Sequence, residues 1–200
     1  EGGATHDWMV HHAGGAPAVS LPMQEDPNGF DPNDWLYNGT PHVRVAQTDA
    51  PWTAQWSVDD VTSRLTMFES TGTTVYGLET YPVDNAVITA ATPPCQTLCV
   101  RRGNNSPFLA VWDAWKSVPN LERATRGSNE TSLLVKTTSN TYYLLFGAGE
   151  SRFEDGVELL SDAPFAIVRN SDALAMAGGT QLEIRRESKT LRVISSAPAT

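Results

Sequence analysis

Hydrophobic and polar residues alternate with a period of two along nearly the whole chain, and only extended strands satisfy that spacing. In the first such stretch His6, Trp8, Val10 and His12 point one way, and Thr5, Asp7, Met9 and His11 the other. Trp52, Ala54, Trp56 and Val58 share a face, as do Leu65 and Met67, and this spacing marks Trp52 and Trp56 as core residues. Between Thr74 and Thr80 the apolar positions Val75 and Leu78 straddle Gly77, which predicts a bulge there. Val87-Ile88 is a short apolar stretch ending at Pro93-Pro94. Cys95 to Arg102 and Pro107 to Trp115, separated by Gly103-Asn104-Asn105-Ser106, read as a long-loop hairpin. Trp112 and Trp115 fall on opposite faces of the second of these, so one of them is expected at the surface. Six further strands follow, at 131–138, 141–146, 153–160, 165–170, 180–186 and 190–195. Ser171 to Ala177 is the one helical candidate.

So many short strands predict an all-β fold of stacked antiparallel sheets, a β-sandwich of supersandwich-like type. Residues 1–200 are read as a single sandwich domain, with 13–39, rich in Gly, Pro, Asn and Asp, as a long irregular loop. A chain of 200 residues can bury a sizeable core without staples. The charged fraction of 18% argues against disorder. A net charge of −9 excludes a general affinity for nucleic acid or anionic membranes, since both need a basic footprint. A local pair, Arg101-Arg102 or Arg185-Arg186, can still meet a carboxylate; the competing reading of both pairs is solvated strand ends. No apolar run approaches the roughly 18 residues of a membrane span. The chain opens Glu1-Gly2-Gly3 without an initiator methionine, and the expectation is a mature or excised fragment with more chain ahead of it.

Cys95 and Cys99 lie on one face of their strand, with Cα atoms roughly 13 Å apart. A disulfide needs less than about 7 Å, so the expectation is two free thiols, or a bulge that breaks the strand between them. The sequons at Asn38, Asn104 and Asn129 point weakly to an extracellular or periplasmic setting.

The densest chemical cluster is Thr5 to His12, with three of the four histidines, a carboxylate and a tryptophan. His6 and His12 share a face but lie about 20 Å apart, so this strand alone does not hold a metal. Asp7 faces away from His6 and cannot orient it as a base. Tyr37, Tyr76, Tyr81, Tyr142 and Tyr143 offer acids, without a signature around any of them. A sugar platform asks for an aromatic face with hydrogen-bonding groups beside it, which Trp8 and His6 supply; the competing reading is a core Trp. The candidate substrate-contacting residues are His6, Trp8, His12, Arg101 and Trp115. No residue is assigned as catalytic or metal-binding, and no cofactor is implied.

The opening Gly2-Gly3-Ala4-Thr5-His6-Asp7-Trp8-Met9-Val10-His11 resembles a Gly-Gly-x-x-His-Asp-aromatic-x-x-His strand in the β-rich part of heparinase II/III-like polysaccharide lyases. Cys95 to Arg102, followed by Pro107 to Asp113, is similar to that family's strand ending in paired arginines and the Phe-centred strand after it. Phe165 to Arg169 with Ala177 to Leu182 extends the likeness across nearly the whole chain. The resemblance implies the C-terminal β-sandwich region of an enzyme that cleaves uronate-containing polysaccharide by β-elimination. It implies an acidic polysaccharide and an N-terminal α/α toroid of the same protein as partners, and a secreted or periplasmic location. The family's catalytic motifs do not occur here, so this part would support the toroid and the substrate cleft rather than perform the chemistry. The alternatives are a non-catalytic carbohydrate-binding module and a structural surface domain.

Overall fold

A computed structural model describes residues 5–12, 15–26, 43–80, 95–103, 107–170, 172–187 and 189–194. The expectations for residues 27–39, Val87-Ile88, the sequons at Asn38 and Asn104, Tyr37 and Tyr81 lie outside them. The described chain is all-β, with four antiparallel sheets and none closed into a barrel. Where the alternation was read as one sandwich domain, the chain divides into two compact units, Glu1–Val118 and Pro119–Thr200.

The first unit holds β1 (Thr5–His12), β2 (Ala18–Val19), β3 (Gln24–Glu25), β4 (Arg44–Thr48), β5 (Trp52–Val58), β6 (Val61–Met67), β7 (Thr73–Thr80), β8 (Cys95–Gly103) and β9 (Ala110–Trp115). Sheet 1 runs β1-β8-β7-β4-β3 and sheet 2 runs β2-β5-β6-β9. Two of its strands, β2 and β3, fall inside the stretch 13–39 expected to be irregular, each only two residues long.

One core joins the facing sides of these sheets. Sheet 1 gives Val10, Val75, Leu98 and Val100; sheet 2 gives Trp52, Ala54, Trp56, Leu65 and Met67. Small Ala54 sits between two large indoles along β5, which lets the opposite sheet interdigitate. Trp52 is 2% exposed. Burying an indole of roughly 200 Å² gives on the order of 5 kcal/mol of gross transfer free energy, before the entropy of ordering is subtracted.

Three local expectations changed under tertiary pairing. Strands β8 and β9 are not a hairpin: β8 is already flanked by β1 and β7, and β9 crosses to sheet 2 and pairs with β6. No bulge occurs at Gly77, where β7 keeps an unbroken register with β4 and β8. The odd spacing of Val75 and Leu78 arises because both faces of sheet 1 are buried, Val75 in the main core and Leu78 in a second cluster with Val43 and Cys99. Finally, Ala173–Ala177 is a strand rather than a helix.

The second unit comprises β10 (Leu121–Arg126), β11 (Ser132–Thr137), β12 (Thr141–Phe146), β13 (Gly149–Arg152), β14 (Val157–Ser161), β15 (Phe165–Arg169), β16 (Ala173–Ala177), β17 (Gln181–Arg186) and β18 (Lys189–Ile194). Sheet 3 runs β10-β11-β12-β15-β16 and sheet 4 runs β13-β14-β17-β18. Their shared core includes Leu134, Tyr143, Leu145, Leu159, Val168 and Ile184. β16 pairs along β15, and Leu174 and Met176 both pack on this core. A helix would splay those two side chains, two residues apart, to different directions, whereas a strand aims both at one face.

Candidate functional site

The five candidate contact residues fall in separate places. On β1, Trp8 packs against the first core and stacks on Phe108, with ring centroids 6.4 Å apart. It is therefore a core-edge indole rather than an open platform. Half-buried His6 lies opposite Arg102 in the β1–β8 register. Arg102 is itself 1% exposed. It donates from Nη2 to Phe68 O at 2.9 Å, from Nε to Thr73 Oγ1 at 3.1 Å and from Nη1 to Pro107 O. Its guanidinium also lies 5.0 Å from the Phe108 ring centroid, so it acts as an internal strut. His12 ends β1 opposite Gln96, and its side chain lies outside the described residues.

Arg101 projects from the opposite face of β8. Its Nε and Nη2 donate to Asp7 Oδ1 and Oδ2, each at 2.7 Å, and its guanidinium lies 5.7 Å from the Tyr76 ring. The hydrogen bond to Asp7 raises the Arg101 pKa still further above its ordinary value. A forked pair of this kind at partly exposed positions contributes at most about 1 kcal/mol, but it occupies the guanidinium edge a ligand carboxylate would use.

Trp115 is the candidate that lies on the outer face of sheet 2, where it is half-buried. β9 is an edge strand, paired to β6, and its alternation turns Ala110, Trp112 and Ala114 inward and Val111, Asp113 and Trp115 outward. Trp112, on the inner side at this edge, is 45% exposed and stacks on buried Trp56 at 5.4 Å and 6°. The outer side of sheet 2 is a grid set by register. Thr53, Thr66 and Val111 form one row, Gln55, Arg64 and Asp113 the next, and Ser57, Thr62 and Trp115 the third.

Hydrogen bonds hold the grid in shape. Arg64 donates from Nε and Nη2 to the two Asp113 oxygens, each at 3.2 Å, and its guanidinium lies 5.1 Å from the Trp115 ring centroid. The cation on one side of the indole fixes its orientation. Ser57 and Thr62 hydroxyls lie 3.3 Å apart beside it. Lys116 pairs with Asp60 at 3.0 Å at the rim. A held indole with amide, hydroxyl and carboxylate groups at strand spacing can pack on the apolar face of a sugar ring and hydrogen-bond its hydroxyls.

Sequence reasoning missed Arg64 and Asp113. They are 49 residues apart, and only the β6–β9 pairing brings them together. The alternation of β9 carried a usable signal, because it places Asp113 on the Trp115 face. Among the described residues, no group of three or more His, Cys, Asp or Glu is placed to hold a metal ion. Cys95 and Cys99 are both free thiols, as expected from their spacing.

No protein-family model matches the chain, and no curated protein matches it in sequence.

Proposed function

We propose that this chain is the β-sandwich portion of a heparinase II/III-like lyase acting on uronate-containing polysaccharide, and that it holds the polysaccharide without cutting it. The order of the Gly-Gly-x-x-His-Asp-Trp strand, the paired-arginine strand and the Phe-centred strand supports the family half of this reading. The observation that carries the binding half is the outer grid of sheet 2, where Trp115 stands beside Arg64, Asp113 and a run of hydroxyls. Contact there is with ring faces and hydroxyls, because the Arg64 fork is already bound to Asp113. The partner implied is an acidic polysaccharide, presented by a toroidal catalytic domain of the same protein.

The test is calorimetric titration of the chain with heparin, alginate and ulvan oligosaccharides, alongside an assay for unsaturated-uronate absorbance. The reading expects binding without product, and at least a tenfold loss of affinity in Trp115→Ala. Turnover by the chain alone, or a titration that stays flat across the three glycans, contradicts it.

A further inference from the structure

The second unit contains a cleft of about 670 Å³ at one end of its sandwich. The core-facing rows of both sheets lead into it and change character at its wall. Along β11 the inward series passes from Leu134 to Lys136, along β12 from Tyr143 to Thr141, and along β17 from Ile184 to Arg186. In each row a polar side chain takes the next core-facing position, so this end of the sandwich opens into a polar cleft rather than closing on apolar side chains.

The polar groups of this cleft are held in place. Buried Tyr143 donates its hydroxyl to Asp155 Oδ2 at 2.5 Å. Asn170 fixes the rim by accepting from Thr141 N at 2.8 Å and donating to Asn140 Oδ1 at 3.0 Å. The wall carries three cations and three carboxylates. Lys136 pairs with Glu122 at 3.1 Å and Arg123 with Glu154, while Asp155 receives the Tyr143 hydroxyl. That leaves Arg186 as the wall cation with no carboxylate partner among the described residues. Its neighbour Arg185 turns to the other face of β17 and donates from Nε to Glu183 Oε1 at 2.5 Å.

We infer that this cleft is a binding site for a carboxylated sugar, with the ligand carboxylate on Arg186 and its hydroxyls on Asp155 and the Thr141–Asn170 rim. An uncompensated guanidinium fork recruits one planar anion. Carboxylate and amide acceptors around it suit a ligand rich in hydroxyl donors. The volume lies within the range of small-ligand pockets, roughly 300–1,000 Å³. The charge of the unit agrees with this. Residues 119–200 carry nine Lys and Arg against ten Asp and Glu, whereas residues 1–118 carry five against thirteen. An anion approaching the second unit therefore meets little net repulsion.

The inference borrows only its choice of probe from the proposed function, and its site is separate from Trp115. The experiment is an NMR titration of the full chain with D-glucuronate, and with D-glucose as the uncharged match. The expected result is saturable shifts for Thr141, Asn170 and Arg186 with glucuronate, at least tenfold weaker with glucose. Arg186→Gln should weaken glucuronate binding at the cleft at least tenfold, while Arg185→Gln leaves it unchanged. Equal loss in Arg185→Gln and Arg186→Gln, equal shifts with glucose, or no saturable shift at the cleft would each overturn the inference. Loss of polysaccharide binding in Trp115→Ala with glucuronate binding intact would leave it standing, so the two sites fail separately.

Discussion

The outer face of sheet 2 and the cleft of the second unit are both polar, yet their physics is opposite. The first is a flat grid in a strongly acidic unit, its one guanidinium already tied to Asp113 and its aromatic group half-buried beside it. The second is concave, lies in a nearly neutral unit, and leaves Arg186 without a carboxylate partner among the described residues. A sheet face of the first kind reads ring shape through stacking and hydroxyls. A cleft of the second kind reads charge.

The sharpest way to break this contrast is to collapse one side of it. Leu159 is fully buried in the second core, so Leu159→Ala should cost about 3–4 kcal/mol in a urea melt. A cost under about 1 kcal/mol would mean that the core beneath the cleft is not packed as described. In the first unit Arg102→Gln should cost at least about 2 kcal/mol, because it strands the buried Phe68 carbonyl and Thr73 hydroxyl and the part-buried Pro107 carbonyl. Arg101→Gln, which opens only the partly exposed pair with Asp7, should cost less than about 1 kcal/mol. Equal costs at the two positions would contradict the assignment of one arginine to the interior and the other to the surface.

A smaller effect belongs to the turn joining β16 to β17. Gly179 has φ +74°, and a Cβ there would lie 2.6 Å from Asp162 Oδ1 and 2.7 Å from backbone atoms of Ala163. Gly179→Ala should therefore destabilise the second unit by more than about 1 kcal/mol, measured in the same melt. Asp162 accepts from Thr180 Oγ1 at 2.6 Å, Thr180 N at 2.8 Å and Gln181 N at 2.7 Å, and these bonds lower its pKa. A carboxyl depressed in the folded state contributes stability above its unfolded pKa, and that contribution disappears as pH falls through the folded value. Melts at descending acid pH should show Asp162→Asn losing less stability than the parent chain. A steeper acid loss in Asp162→Asn would reverse the sign and refute the assignment.

Salt separates the two surfaces by a few-fold change in affinity. An acidic glycan approaching the first unit is repelled by its surplus of carboxylates, so added salt should strengthen contact at Trp115. Binding of glucuronate by Arg186 should weaken with salt. The same direction at both sites would erase the distinction.

Much of the architecture could be read from alternation alone. The two faces of β1, the core placement of Trp52 and Trp56, and the free thiols of β8 each followed from spacing along one strand. What could not be read was which strands meet. The β8–β9 crossover, the unbroken register at Gly77 and the strand at Ala173–Ala177 depend on partners remote in sequence. The same limit governs the sites. The face on which Trp115 lies was readable because the faces of β9 are local, whereas its companion Arg64 arrives from another strand. Arg186 and Tyr143 were visible as residue types, an arginine pair and an unassigned acid, but their convergence needs the stacking of sheets 3 and 4.

All six tryptophans lie in residues 1–118, so every indole emitter belongs to the first unit. The decisive measurement is therefore a titration of the chain with an alginate oligosaccharide, following tryptophan emission and unsaturated-uronate absorbance together. The account predicts a saturable emission change that Trp115→Ala removes, with no rise in product absorbance. An unchanged emission signal under conditions where calorimetry records binding, or steady release of unsaturated product, would contradict it.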